Sequence, residues 1–250
     1  MPPETDTRRI ALISDVHGNL PALEAVLRAI EEAGADAIWC LGDLVGYGAQ
    51  PNECVSLAAG ATEVCLIGNH DLVVIDRLDM DDFSANAAVA AQWTKEQLEP
   101  AAREYLEQLE PSDEKRPLGL YHGSPRDPVW EYVLSSMAAD DCIDAMDARV
   151  GAVGHSHVAL AFWRKGDTPT AGAQSEAGTE LDLSADRWLV NPGSVGQPRD
   201  GDPRASWVLL ELDSWRATWH RTEYPIDAAA DAIREAGLPK QLADRLYYGQ

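Results

Sequence analysis

The sequence predicts an α/β fold built on a largely parallel sheet, and two observations carry that expectation. From Ile10 to Ile67, short apolar runs alternate with stretches of helical periodicity, the pattern of successive β-α-β units. The apolar runs also end alike, in clusters of Gly, Asp, Asn and His, where buried strands give way to loops.

The elements follow in order. Ile10 to Ser14 reads as a buried strand that runs into Asp15-Val16-His17-Gly18-Asn19. Leu20, Leu23, Val26, Leu27 and Ile30 recur at helical spacing, so the spacing predicts a helix from Leu20 to Ala33, stopped by Gly34. Ala37 to Leu41 is the next strand and leads to Gly42-Asp43; Pro51 to Ala59 is a helix; Glu63 to Ile67 is a third strand, ending at Gly68-Asn69-His70-Asp71. A helical insertion occupies about 79–113, with Ser84 to Leu109 mostly helical and interrupted near Pro100. Leu118 to Tyr121 is a strand ending at His122, Met137 to Met146 a helix, and Val150 to Val153 a strand ending in Gly154-His155-Ser156-His157. Strands then dominate, at Val158 to Arg164, Glu180 to Leu183, Trp188 to Val190, Trp207 to Leu212 and Arg216 to Glu223. Helices return at Ile226 to Ala236 and Pro239 to Tyr248. No linker or repeat interrupts the pattern, so residues 1–250 read as one domain.

Composition limits what such a domain can do. The chain has 250 residues, 45% of them hydrophobic, enough for a sizeable core. Its 42 acidic and 20 basic residues give a net charge of −22, and such a surface repels nucleic-acid backbones and anionic membranes. The same surplus suits a salt-rich cytosol, so the sequence predicts a halophilic source. An anionic substrate would need local positive charge, which bound metal ions supply. No run approaches the ~20 apolar residues of a membrane span, and Met1 to Arg9 lacks the apolar core of a signal peptide, so the expected location is the cytoplasm. Cys40, Cys54, Cys65 and Cys142 form no CxxC pair and read as free thiols.

The chemistry concentrates where strands end. Five of the six histidines follow strand-like runs, as do Asp15, Asp43, Asn69 and Asp71. In an open α/β sheet those ends share one rim, where ligands bind. Carboxylates and neutral imidazoles together suit borderline divalent metals. Asp15 and His17 are two apart, and His155 and His157 repeat the spacing, so in extended backbone each pair would face one ion. There are too many donors for one tetrahedral ion, and the number fits two adjacent ions that share a carboxylate. Arg199 follows a Gly/Pro-rich loop and can hold a phosphate oxygen bidentately. Tyr47, Arg126 and Trp130 are candidate pocket residues, Asn191 a turn residue, and His220 lies outside every cluster.

In sequence order, Asp15-Val16-His17, Gly42-Asp43, Gly68-Asn69-His70-Asp71, His122-Gly123 and Gly154-His155-Ser156-His157 resemble the motifs of calcineurin-like metallophosphoesterases. Val45-Gly46-Tyr47-Gly48, His122-Gly123-Ser124-Pro125 and Asn191-Pro192-Gly193-Ser194 through Arg199 are similar to a prokaryotic branch, the YfcE-like and diadenosine-tetraphosphatase-like group. The resemblance implies a four-layer αββα sandwich of two mixed sheets. It implies that one ion takes Asp15, His17 and His157, the other Asn69, His122 and His155, with Asp43 bridging. Manganese is the first choice of metal, with iron, zinc, nickel and cobalt as alternatives. The implied activity is hydrolysis of small-molecule phosphate mono- or diesters by a water held between the ions. His70 would assist the leaving group and Asp71 would orient its ring; Asn69 and Arg199 would also face the substrate. The Gly-Asp-x-x-Asp-Arg-Gly of protein phosphatases is missing its arginine here, which weakens a phosphoprotein role. A nuclease would need a basic track, and a scaffold like the retromer subunit of this fold would show degraded ligands. Homo-oligomerisation stays open.

Overall fold

The computed structural model describes residues 8–250. Along the chain, β1 is Arg9–Ile13, α1 Leu20–Ala33, β2 Ala37–Cys40, α2 Pro51–Ala61, β3 Val64–Cys65 and α3 Asn69–Val74. Next come α4 (Ala85–Gln97), α5 (Pro100–Glu107), β4 (Ser112–Asp113), β5 (Gly119–Tyr121), α6 (Ser136–Ala145) and β6 (Val150–Val153). The second half holds β7 (Ala159–Arg164), β8 (Ala171–Gln174), β9 (Glu180–Asp182), β10 (Arg187–Pro192), β11 (Ala205–Glu211) and β12 (Arg216–Thr222). It ends with α7 (Ile226–Glu235), α8 (Lys240–Asp244) and a 3₁₀ turn at Arg245–Tyr247.

The strands make two six-stranded sheets, ordered β3-β2-β1-β11-β12-β9 and β4-β5-β6-β10-β7-β8. Both are mixed. In the first, β1, β2 and β3 run parallel, while β11 joins β1 antiparallel. In the second, β5, β6 and β10 run parallel and β7 closes on β10 antiparallel. This extends the largely parallel sheet read from the first β-α-β units: β1, β2 and β3 are parallel as read, while β7–β8 and β11–β12 are joined by short connections, which antiparallel neighbours permit and parallel ones do not.

Side-chain alternation sorts the chain into four layers. Ile10 and Leu12 of β1 meet Val150 and Ala152 of β6 and Trp188 and Val190 of β10 in an apolar layer between the sheets. The intervening Ala11 and Ile13 face α1, α2 and α7. On the far side, Leu189 and Val153 pack under Ala139, Cys142 and Ile143 of α6. The two-residue period of the strands thus builds helix, sheet, sheet and helix from one pattern. Helix α1 begins where the Asn19 side chain accepts from Ala22 N–H at 3.2 Å, and stops at Gly34 in the left-handed region.

Several boundaries differ from expectation. The third strand is only Val64–Cys65, because Ile67 N–H turns away to bond Glu110 O. Asn69, His70 and Asp71 open a helix rather than lying in a loop. Strand β8 reads Ala-Gly-Ala-Gln and is exposed throughout, so no apolar alternation marked it. Among the described residues, no helix is long and apolar enough to cross a membrane.

Candidate metal centre

Strand ends from both sheets meet at one cleft. Asp15 and His17 follow β1, Asp43 follows β2, and Asn69 opens α3 just after β3. The second sheet contributes His122 after β5, and His155 and His157 after β6. All seven are buried. They fall into two groups: Asp15, His17, Asp43 and His157 offer ligand atoms within 4.8 Å of one another, as do Asp43, His122 and His155. Asn69 Oδ1 joins the second group, 3.2 Å from His122 Nε2. Asp43 is common to both.

The spacing of two works for a reason other than the one read from sequence. Asp15, His17, His155 and His157 are not extended; their φ angles are 57°, 51°, 63° and 59°, and Asp43 has φ 54°. Non-glycine residues avoid this left-handed region, so five of them at one site mark backbone held against its preference by the surrounding fold. The holding contacts come largely from the Asn191–Arg199 segment. Val195 N–H bonds Ser14 O, and Ser194 Oγ and Gly196 N–H donate to Asp15 O at 2.8 and 2.9 Å. Asn191 Nδ2 donates to Gly154 O at 2.7 Å and Ser156 Oγ at 3.0 Å, so Asn191 fixes the His155 loop besides shaping its own turn. Space is also tight: a side chain at Gly68 would overlap the Asp43 carboxylate, and one at Gly46 would overlap the His70 ring.

Hydrogen bonds set each imidazole's tautomer. His17 Nδ1 donates to Val45 O at 2.9 Å, His122 Nδ1 to Leu41 O at 2.8 Å, and His157 Nδ1 to Gln197 O at 2.6 Å. Their Nε2 atoms are then bare lone pairs. Yet His17 Nε2 lies 3.0 Å from His157 Nε2, and the Nε2 atoms of His17 and His122 lie 3.6 and 3.5 Å from Asp43 Oδ2. Asp43 Oδ2 is buried with no hydrogen-bond partner, while Oδ1 accepts from His70 N–H at 2.9 Å. His155 differs, bonding Trp130 O through Nε2 at 3.2 Å, so its Nδ1 is the free nitrogen. Acceptors face acceptors with no hydrogen between them, an arrangement that divalent cations satisfy.

Burial shifts several of these groups. It pushes the Asp15 carboxyl up to about 7, and burial followed by the Asp71 carboxylate raises Asp43. It holds His17 and His157 well below the usual imidazole value and His155 at about 2, which keeps the rings neutral and fit to bind metal.

Above this floor opens a cleft of about 510 Å³. His70 lines it, buried against Tyr47 and Phe83 at ring distances of 4.5 and 4.4 Å, with Nδ1 unpartnered. Asp71 does not orient that ring. Its carboxylate accepts from Leu44, Val45 and Gly68 N–H at 3.2, 3.0 and 3.1 Å, so it clamps the loop carrying Asp43 to the start of α3. Position, three residues into a helix, decided the role. Arg199 is on the cleft wall, with Nη2 3.2 Å from Tyr47 Oη. Trp130 lines the cleft as expected, but Arg126 pairs with Asp141 at 2.6 Å and is absent from the lining. His220 stacks on Trp207 at 4.2 Å, away from the site. The sequence reading missed Phe83, Tyr132 and Arg245, which line the same cleft. An aromatic two residues from Trp130 was a faint signal for Tyr132; Arg245 had none.

Comparison with known proteins agrees with this architecture. Residues 9–214 match the calcineurin-like phosphoesterase superfamily domain. A metallophosphoesterase from Sphaerobacter thermophilus superposes with a TM-score of 0.88 at 44% identity, covering 98% of this chain and 100% of that one. The protein MJ0912 of Methanocaldococcus jannaschii is 37% identical over 246 residues, covering 96% of this chain and 98% of its own. The Escherichia coli phosphodiesterase YfcE is 26% identical over 210 residues, covering 82% and 88%. The chain therefore belongs to the calcineurin-like phosphoesterase superfamily and is a hydrolase of phosphoric ester bonds.

Proposed function

We propose that this enzyme hydrolyses phosphate mono- or diesters of small molecules with two divalent ions, manganese first among the candidates. Asp15, His17 and His157 would hold one, Asn69, His122 and His155 the other, and Asp43 both. One observation carries the reading: bare imidazole nitrogens from both groups point at a buried, partnerless Asp43 oxygen. When bound, the ions supply Lewis-acid charge at the phosphoryl oxygens and lower the pKa of water within reach.

The chain's own groups do the rest. Asp43 keeps the two ligand sets in register by bonding His70 N–H through its other oxygen. Arg199, half-buried with its Nε unpartnered, would hold a non-bridging phosphate oxygen. His70, neutral through burial, would donate an imidazole N–H to the leaving oxygen and stabilise the charge growing there. The phosphodiesterase activity of the Escherichia coli relative supports including diesters. The net charge of −22 supports a small substrate over a nucleic acid, and a salt-rich cytosol as the working environment. The test is to strip metal, restore manganese, and screen phosphomonoesters, cyclic nucleotides and dinucleoside polyphosphates. Turnover that returns with metal for a subset of these is expected; no turnover of any, with metal bound, would end this reading.

A further inference from the structure

The four candidate imidazole ligands are not held alike. His17, His122 and His157 bond backbone carbonyls at 2.9, 2.8 and 2.6 Å, whereas His155 reaches Trp130 O at 3.2 Å. Trp130 lies on residues 122–135, which run between β5 and α6 with no helix or strand of their own. The same segment supplies His155 with a second hold: the Tyr132 ring stacks on its imidazole, with centroids 3.9 Å and planes 28° apart. Trp130 and Tyr132 flank Glu131, so whatever fixes Glu131 fixes both of them.

Glu131 is tied to both ends of the segment. Its Oε2 accepts from Ser124 Oγ near the start and lies 3.7 Å from Cys142 Sγ, on α6 beyond the end; Arg126 Nη2 is 3.6 Å from Oε1. Ser124 is a fixed anchor, buried and accepting from Arg126 and Asp127 N–H at 3.1 and 3.0 Å. It stands two residues after His122. The Glu131 carboxylate therefore links the backbone that carries His122 to the residues that hold His155, and these two ligands belong to one group with Asp43. Among the described residues, Ser124, Trp130, Glu131 and Tyr132 hydrogen-bond none of Asp15, His17 and His157. Resting on the two-ion reading above, we infer that Glu131 is a positioning residue for the ion assigned to Asn69, His122 and His155, and that it leaves the other ion unaffected. It acts by fixing the segment through which Trp130 O and the Tyr132 ring set the orientation of His155.

Manganese titration of stripped enzyme tests this, followed by elemental analysis and electron paramagnetic resonance. The wild type should bind two ions and give the signal of a magnetically coupled pair. Glu131→Ala should bind one ion within about two-fold of the wild-type affinity and the other about 10- to 100-fold more weakly, as the loss of a group that orients a metal's ligand implies. At limiting manganese its signal should then be that of an isolated ion. Glu131→Gln, which can still accept from Ser124, should regain most of the lost affinity. A carboxylate that only helps the segment fold would lower Tm and leave both ions bound as in wild type; that result, or equal weakening of both ions, would overturn the inference. Should Glu131→Ala fail to fold, Ser124→Ala decides: selective weakening of one ion is expected, and unchanged binding of both overturns the role. If the wild type binds two ions and the variants bind them equally well, the positioning role falls and the proposed function stands; a wild type that binds at most one ion takes the two-ion reading down with it.

Discussion

At the floor of the cleft the backbone is contorted and the candidate ligands are buried; along most of the wall the backbone is relaxed and the side chains are half exposed. Asp15, His17, Asp43, His155 and His157 all hold positive φ, and three imidazoles are pinned through Nδ1 to backbone carbonyls. Phe83, Trp130, Tyr132, Arg199 and Arg245 have none of that strain, and Tyr132 is 49% exposed. The difference is one of task. Metal ligands need fixed geometry before anything binds, and the fold supplies it at a cost in strain and buried charge; a recognition wall can adjust to what arrives. Floor substitutions should therefore destroy chemistry, and wall substitutions should shift KM.

The largest effect belongs to Asp43→Ala. Without the shared carboxylate, both ions and roughly 10³-fold or more of the activity should be lost. Elemental analysis decides the first point, and at most one ion in fully active wild type would sink the dinuclear site. Stability should move the opposite way. Metal-free Asp43→Ala should melt no lower than metal-free wild type, because it sheds a buried carboxylate whose Oδ2 has no hydrogen-bond partner, at the cost of the bond that Oδ1 accepts from His70 N–H. Chelation should lower the wild-type Tm by roughly 5–10 °C and leave the variant unmoved. A variant that chelator still destabilises would mean that the floor holds metal without Asp43.

His70 stands between floor and wall, so it sharpens the contrast. His70→Ala should keep both ions, since the seven ligand candidates remain, and lose roughly 10²–10⁴-fold in turnover of alkyl esters. The deficit should shrink with p-nitrophenyl esters, whose leaving group needs no help. A deficit that is the same across leaving groups would confine His70 to packing or general electrostatics, and loss of an ion would move it into the floor.

On the wall proper, Arg199→Gln should raise KM by about ten-fold and alter kcat much less, as the loss of a charged hydrogen bond to substrate does. A collapse of kcat with intact KM would assign Arg199 to the transition state and break the distinction. The smallest effect concerns neither region. With a net charge of −22, rising KCl should screen surface repulsion and lift Tm by a few degrees. Asp43→Ala should gain equally, because the screened repulsion lies between exposed surface charges and Asp43 is buried. A flat or falling midpoint would remove the case for a halophilic source.

The sequence by itself determined the floor's chemistry. Candidate ligands such as His155 and His157 stand together in the chain, behind apolar runs that read as buried strands, so their type and order were legible. It did not determine how they converge. Their spacing of two read as extended backbone, whereas positive φ turns them inward, and that strain exists only because Asn191 and Ser194, far along the chain, hold the loops. Asp71 read as a partner of His70; hydrogen bonds from Leu44, Val45 and Gly68 N–H make it a clamp at the start of α3 instead. The two mixed sheets followed from the motif resemblance, whereas the wall was decided by tertiary structure alone. Phe83 lies before α4 and Arg245 after α8, and no local pattern links them to a strand end. They share a cleft because the helices carrying them pack on the same sheet face, a long-range consequence of burying apolar surface that leaves no periodic trace at the residues it brings together.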